Sequence, residues 1–101
     1  MTGRHVLISS DAEAQLDAIR VWWRSHRTTA PDLLDREFDA VVLILQAAAF
    51  AFPIYRIEDD IEIRRILLPR SGYAVYFTID RDDVLVVAVW HTARGTEPPL
   101  P

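Results

Sequence analysis

The sequence predicts an α+β domain in which an N-terminal helical hairpin packs on one face of a mostly antiparallel sheet, in the order β-α-α-β-β-β-β. From residue 11 to about residue 48, apolar residues recur at three- and four-residue steps, which is typical of helices that bury one face. From Ile54 onward, short apolar runs alternate with turn-forming residues, which is typical of hairpin strands. A chain of 101 residues suffices for one core, and we expect residues 1–101 to form a single domain.

A short apolar run at residues 6–8 predicts the first strand, which we expect at the edge of the sheet. Ser10 and Glu13 have the spacing of a capping box, which predicts a helix from Asp11 to the polar segment before Pro31. Its core-facing residues, three or four positions apart, are Ala12, Leu16, Ile19 and Trp23.

Pro31 is suited to the first position of a second helix, because the missing N–H costs nothing there. The main apolar stripe of this helix is Leu34, Phe38, Val41, Leu45 and Ala48. Beyond Asp39 the helix is apolar nearly all round, so we expect its C-terminal half to be buried on several sides.

Four further strands are expected at Ile54–Glu58, 61–69, Tyr73–Asp80 and 84–91. In the third of these, Tyr73, Val75, Phe77 and Ile79 share one face, while Ala74, Tyr76 and Thr78 share the other. The last strand is apolar on both faces, yet two helices cover only one face of a sheet. We therefore expect the second face, with Leu85, Val87 and Val89 or their counterparts, to meet a partner.

Composition excludes several functions. The net charge is −4, so the chain is a poor general binder of phosphate backbones. All eleven basic residues are arginines, which leaves no lysine as a nucleophile, and the absence of cysteine excludes disulfides and thiolate metal sites. No metal site and no cofactor is expected. No segment is long enough to span a membrane, so we expect a cytoplasmic protein without a membrane partner.

The last strand cannot continue beyond its end, because Gly95 and the prolines after it break any regular element. The strand thereby places His91 and Arg94 at the rim of the sheet. An arginine in an irregular segment is a candidate for function, since packing does not explain it. A histidine at a strand end can also be a hydrogen-bonded structural residue, and Arg94 can belong to a simple salt bridge.

Four segments, in order along the chain, carry a resemblance to a known family: 6–12 with Trp22 and Trp23, Phe52 with Pro53, 63–77, and 87–95. Together they resemble the ParE branch of the RelE/ParE toxin superfamily. These are toxins of bacterial type II toxin–antitoxin modules, also called plasmid stabilisation proteins. The resemblance covers essentially the whole chain.

The resemblance implies a toxin that is neutralised by a cognate antitoxin, which contacts operator DNA on its behalf. ParE-like toxins are associated with inhibition of DNA gyrase, and this non-enzymatic activity is the first expectation. The alternative is a RelE-like endonuclease that cuts mRNA on the ribosome. An alternative of another class is a non-toxic dimerisation or adaptor domain, which would also use an apolar sheet face.

Candidate site residues follow from the resemblance and from their positions. The residues expected to bind the antitoxin are Trp22, Tyr76, Val87, Val89 and Trp90. The residues expected to bind the target are Arg64, Arg65, His91 and Arg94. Catalytic residues are not expected, but a ribonuclease would use Arg65, Tyr76, His91 and Arg94. Arg64 and Arg65 face opposite sides of their strand, and one of them is expected to pair with Glu58 or Glu62.

Overall fold

The computed structural model describes residues 3–100, so Met1, Thr2 and Pro101 lie outside it. The elements are β1 (His5–Ile8), α1 (Ser10–His26), α2 (Leu33–Ala48), β2 (Ile54–Glu58), β3 (Ile61–Leu67), β4 (Tyr73–Asp80) and β5 (Asp83–His91). Single 3₁₀ turns follow α2 at Ala49–Ala51 and β5 at Thr92–Arg94. The predicted α+β order is confirmed.

The five strands form one sheet in the order β1-β5-β4-β3-β2. β1 lies parallel to β5 at one edge, and the other three pairs are antiparallel. Both helices pack on the same face. They enclose the main core with β4 and β5, including the fully buried Leu16, Leu45, Val75 and Phe77. The predicted division of β4 into two faces is also confirmed.

Helix α1 begins one residue earlier than its capping-box spacing predicts. Ser9, with extended backbone, is the N-cap, and its Oγ accepts a hydrogen bond from the Ala12 N–H at 3.1 Å. This bond satisfies one of the donors that every helix leaves free at its start. The N-cap is Ser9 and not Ser10, so Glu13 lies one position too far along to close a capping box with it, and the predicted capping box is wrong.

Pro31 lies in the turn before α2 and is not its first residue. The Ala30 carbonyl accepts from the Leu33 N–H at 3.2 Å and from the Trp23 indole N–H at 2.8 Å. These two bonds hold the link between the helices as a turn, so the helix begins only at Leu33, after Asp32. The indole bond also ties the end of α1 to this turn.

The C-terminal half of α2 is buried on one side only. Val41, Leu45 and Ala49 continue the inward stripe, whereas Leu43 is 66% exposed. Ile44 and Ala48 also face outward. The prediction that Ala48 belongs to the core-facing stripe is wrong, because Ala49 takes that place at the start of the 3₁₀ turn. The expectation of burial on several sides is wrong, because the domain has a single helical layer and no described element covers the outer side of α2.

A β-bulge alters the pattern of β5. Tyr76 pairs with Ala88, but Phe77 pairs with Val86, so Val87 is an extra residue. The bulge reverses the alternation beyond it and turns Val89 towards the helices, opposite Val75. The expectation that Val89 shares the outer face with Leu85 and Val87 is therefore wrong.

The outer face of the sheet is partly covered by the chain itself. A second buried cluster on this face consists of Ile63, Ala74, Tyr76, Val87 and Ala88. Leu100 packs against this cluster, and Pro98 is buried. The expectation of an open outer face is corrected to this extent, because the segment after Gly95 folds back over it. Leu7, Leu67 and Leu85 remain exposed.

The one-sided burial of α2 can be tested with two leucines on the same helix. Leu45 is 0% exposed and Leu43 is 66% exposed. We expect Leu45→Ala to lower the free energy of unfolding by about 2–5 kcal/mol, through lost burial and a cavity. Leu43→Ala is expected to change it by about 0.5 kcal/mol or less. Urea denaturation followed by circular dichroism measures both, and equal losses would contradict the one-sided packing.

Candidate functional site

The candidate site is a cavity of about 640 Å³ between α1 and the C-terminal end of β5. Its lining residues come from both helix and strand segments: Gln15, Ala18, Ile19, Trp22, Arg27, Tyr73, Val89, Trp90, His91 and Arg94. Five of them, Trp22, Val89, Trp90, His91 and Arg94, are residues that the sequence predicts for binding. The fold therefore brings together members of both predicted groups, those for the antitoxin and those for the target, in one place.

The cavity exists because β5 is longer than β1. Pairing between the two strands ends at Val86, so residues 87–91 have a strand neighbour only on the β4 side within the described chain. Gln15 on α1 compensates in part, since its Oε1 accepts the Val89 N–H at 2.9 Å. A helix side chain thus satisfies a backbone donor where β1 has ended.

Two adjacent tryptophans take different roles, as their positions on α1 predict. Trp23 is buried in the core, whereas Trp22 is 42% exposed at the cavity. The Trp22 ring stacks on His26, with 4.4 Å between ring centroids. The Arg27 guanidinium lies 5.3 Å from the centroid of the Trp22 ring. An exposed indole between polar groups is suited to anchor a partner.

His91 has a structural role in this arrangement. Its Nδ1 accepts the Ala93 N–H at 3.1 Å and so caps the turn at Thr92–Arg94. Its ring meets that of Tyr73 edge-on, at 4.8 Å between centroids. Burial raises the pKa of Tyr73, and the nearby Arg94 and Arg27 offset this only in part. Tyr73 therefore stays neutral at physiological pH.

Arg94 is held by an aromatic face. Its guanidinium lies 4.4 Å from the centroid of the Trp90 ring, and the Trp90 indole N–H donates to the Thr96 carbonyl at 3.2 Å. Among residues 3–100, no hydrogen bond or ion pair of the Arg94 side chain is present. Its N–H donors are thus available to an external acceptor.

The cavity is a cationic site on an acidic chain. Arg27 and Arg94 contribute two positive charges, and no aspartate or glutamate of the described chain lines the cavity. The whole protein carries a net charge of −4. The local positive potential therefore favours a single anionic group more than an extended polyanion, which the remaining surface repels.

The other predicted residues lie elsewhere. Arg64 faces the helices, where it donates to the Phe52 carbonyl at 2.6 Å and pairs with Glu62 at 3.4 Å. This confirms that one of the two adjacent arginines pairs with a nearby acid. Arg65 lies on the outer face over the Tyr55 ring, at 4.8 Å from its centroid.

Tyr76 and Val87 are buried on the outer face, away from the cavity, and Val89 is 1% exposed. As the structure stands, these three side chains offer little surface to a partner. Of the residues assigned to the antitoxin, Trp22 and Trp90 offer more accessible surface.

Sequence reasoning missed three of the residues that shape the cavity. Arg27 is one turn beyond Trp22 and Trp23, and that spacing alone could have indicated it. Tyr73 pairs with His91 across the ladder, which becomes visible only once the register is known. Gln15 gives no signal, because a polar residue on a helix is ordinary.

The described residues contain neither a metal-binding cluster nor a membrane-spanning helix. Between Gly3 and Leu100, no group of three or more histidine, aspartate or glutamate side chains is placed to hold a metal ion. No helix in that range is both long and apolar enough to cross a bilayer.

The fold is that of a small α+β protein in which a helical layer covers one face of a five-stranded sheet, and it is consistent with the ParE-like class. Comparison with protein families gives the same class. The model of the ParE toxin of type II toxin–antitoxin systems, parDE, matches residues 6–95, and the chain belongs to this family. A comparison with curated proteins finds no match.

Two glycines with positive φ allow the packing of His91 to be tested. A Cβ at Gly72 (φ 84°) would lie 3.0 Å from His91 Nε2, whereas a Cβ at Gly95 (φ 73°) would meet nothing within 4 Å. We expect Gly95→Ala to destabilise the fold by roughly 1–2 kcal/mol through its backbone alone. Gly72→Ala is expected to cost about 1 kcal/mol more, because His91 must move.

Thermal unfolding of both variants measures the difference, and the NMR signals of the His91 ring report its displacement. Equal destabilisation with unchanged His91 signals would contradict this packing.

Proposed function

We propose that this toxin inhibits DNA gyrase by binding, without cutting nucleic acid, and that a cognate antitoxin neutralises it at the cavity between α1 and β5. Membership of the ParE toxin family supports the gyrase target and the antitoxin partner. The observation that carries the non-nucleolytic part is the separation of the residues that a ribonuclease would need.

RNA cleavage requires a base, an acid and cations to converge on one phosphate. Arg65 and Tyr76 lie on the outer face of the sheet, where Tyr76 is buried. His91 lines the cavity on the helix side of the sheet, where its ring meets that of Tyr73, and its Nδ1 is occupied by the Ala93 N–H. Arg94 lies at the edge between the two faces, over the ring of Trp90. This division favours a binding protein over a nuclease.

Charge supports the same conclusion. A protein that docks on ribosomal RNA gains affinity and rate from a positive surface, whereas this chain carries a net charge of −4 and no lysine. A contact between the cavity and one acidic group on a protein target needs no such surface. Arg94 is the residue best placed for it, because its donors lack an acceptor among the described residues.

The antitoxin is proposed to occupy the same cavity. Trp22 and Trp90 supply aromatic anchor surface beside the two arginines. A segment bound there covers Arg94, so neutralisation follows from occupation of the target-binding surface. In this proposal operator DNA is contacted by the antitoxin, since the toxin is acidic.

Expression of the chain alone in a bacterial host tests the target. We expect growth arrest with filamentation, a DNA damage response and intact mRNA, and we expect growth to recover on co-expression of the antitoxin. Purified toxin is expected to inhibit supercoiling by gyrase. Rapid cleavage of mRNA during arrest would move the assignment to the ribonuclease branch, and soluble protein without arrest would favour an adaptor domain.

Arg94→Ala tests the contact with the target. We expect it to relieve growth inhibition while thermal stability stays largely intact, because Arg94 is exposed and is not part of the core. Antitoxin binding is also expected to stay largely intact, because Trp22 and Trp90 supply its anchor surface. Arg36→Ala is the matched control, since Arg36 is an exposed arginine on α2 outside the cavity. Full toxicity of Arg94→Ala, measured at equal protein levels, would remove this arginine from the proposed contact.

A further inference from the structure

The segment at residues 95–100, here called the C-terminal strap, crosses from the cavity side of the sheet to the outer face. It begins at Gly95, whose left-handed conformation (φ 73°) ends the turn at Thr92–Arg94. Pro98 is buried and Leu100 packs on the outer cluster. The strap therefore joins the two surfaces on which the predicted site residues are divided.

Glu97 fixes the middle of the strap to β2. Its carboxylate accepts the Tyr55 hydroxyl at 3.0 Å and the Arg56 Nη1–H at 2.7 Å. Burial, and next the hydrogen bond to Glu97, raises the pKa of Tyr55, so its hydroxyl remains a donor at neutral pH. The Arg56 pair is a charge-assisted hydrogen bond, which is stronger than a neutral one.

The residue before Glu97 connects this anchor to the cavity. The Thr96 carbonyl accepts the Trp90 indole N–H at 3.2 Å, and Arg94 lies over the same indole ring. Each step is a direct contact: Glu97 holds the strap, the strap orients the indole, and the indole supports the guanidinium. Glu97 itself does not line the cavity.

We propose that Glu97 is a positioning residue that acts at a distance, holding Trp90 and Arg94 in the cavity through the strap. This inference rests on the proposed function only in so far as Arg94 contacts the target. The geometry of Trp90 and Arg94 can be measured without any target, so the positioning role of Glu97 can be tested separately from the proposed gyrase target.

Glu58 provides a matched control. It pairs with the same guanidinium, from its Oε1 to Arg56 Nε at 2.8 Å, but it belongs to β2 and has no bond to the strap. Removing either carboxylate takes one negative charge from Arg56. Only Glu97→Ala also releases the strap, so a difference between the two variants reports on the strap and excludes a general effect of charge.

The first measurement is NMR of the full chain, with the Trp90 indole and Arg94 Nε–H signals assigned by Trp90→Phe and Arg94→Lys. We expect Glu97→Ala to shift both signals and to speed hydrogen exchange of the Trp90 indole, whereas Glu58→Ala leaves them in place. Unchanged signals in Glu97→Ala overturn the inference, whether or not the protein acts on gyrase.

The second measurement is inhibition of gyrase supercoiling. Because the side chain of Glu97 is 63% exposed, its ion pair is screened by solvent. We therefore expect Glu97→Ala to raise the half-inhibitory concentration by up to about fivefold, the scale of an exposed pair. In an Arg94→Ala background we expect no further loss, because a residue that acts through Arg94 is not additive with it.

An equal additional loss in the Arg94→Ala background would overturn the positioning role, since Glu97 would then act independently. A wild-type protein that does not inhibit gyrase would overturn the proposed target, and the NMR result would still decide the role of Glu97.

Discussion

The candidate site depends on the difference in length between β5 and β1. Beyond Val86 the last strand lacks its parallel neighbour, and the Val89 N–H would be left unpaired at a partly buried edge. An unpaired donor in such a position is costly, and Gln15 removes that cost from the side of α1. A longer β1 would fill the space where Trp22 and Arg94 line the cavity, so the short first strand is what leaves room for a ligand.

The bulge in β5 could not be predicted from the pattern of apolar and polar residues. Element order, the edge position of β1 and the two faces of β4 follow from the sequence, because turn residues and alternation specify them. At residues 87–89 three small apolar residues follow one another, and none of them signals which is extra. One added residue exchanges the faces of everything after it. The exposed side of α2 was mispredicted for a related reason, since apolar composition does not reveal whether a second layer exists.

The site residues that could be predicted are those recognisable from their immediate neighbours in the sequence. The residues that were missed reach the site only through contacts between distant parts of the chain. His91 and Arg94 lie at or just after a strand end, and Trp22 is next to Trp23 on a helix, so the two tryptophans cannot face the same side. Tyr73 enters the cavity only through the strand register. The strap that covers the outer cluster has no periodicity to predict, since Pro98 and Leu100 dock by shape against a surface made by residues far away in the chain.

A comparison of two groups of arginines explains how an acidic protein keeps a cationic site. Arg20, Arg56 and Arg64 pair with carboxylates, which neutralise their charge and occupy part of their donors. Arg27 and Arg94 lie instead on tryptophan rings. A planar guanidinium keeps its N–H edges free while its face is in contact with an indole, which a lysine ammonium cannot do in the same way. The cavity therefore presents two oriented, unneutralised cations to an incoming anion. The surrounding negative charge disfavours a nucleic acid backbone, so an acidic side chain on a protein surface fits the site best.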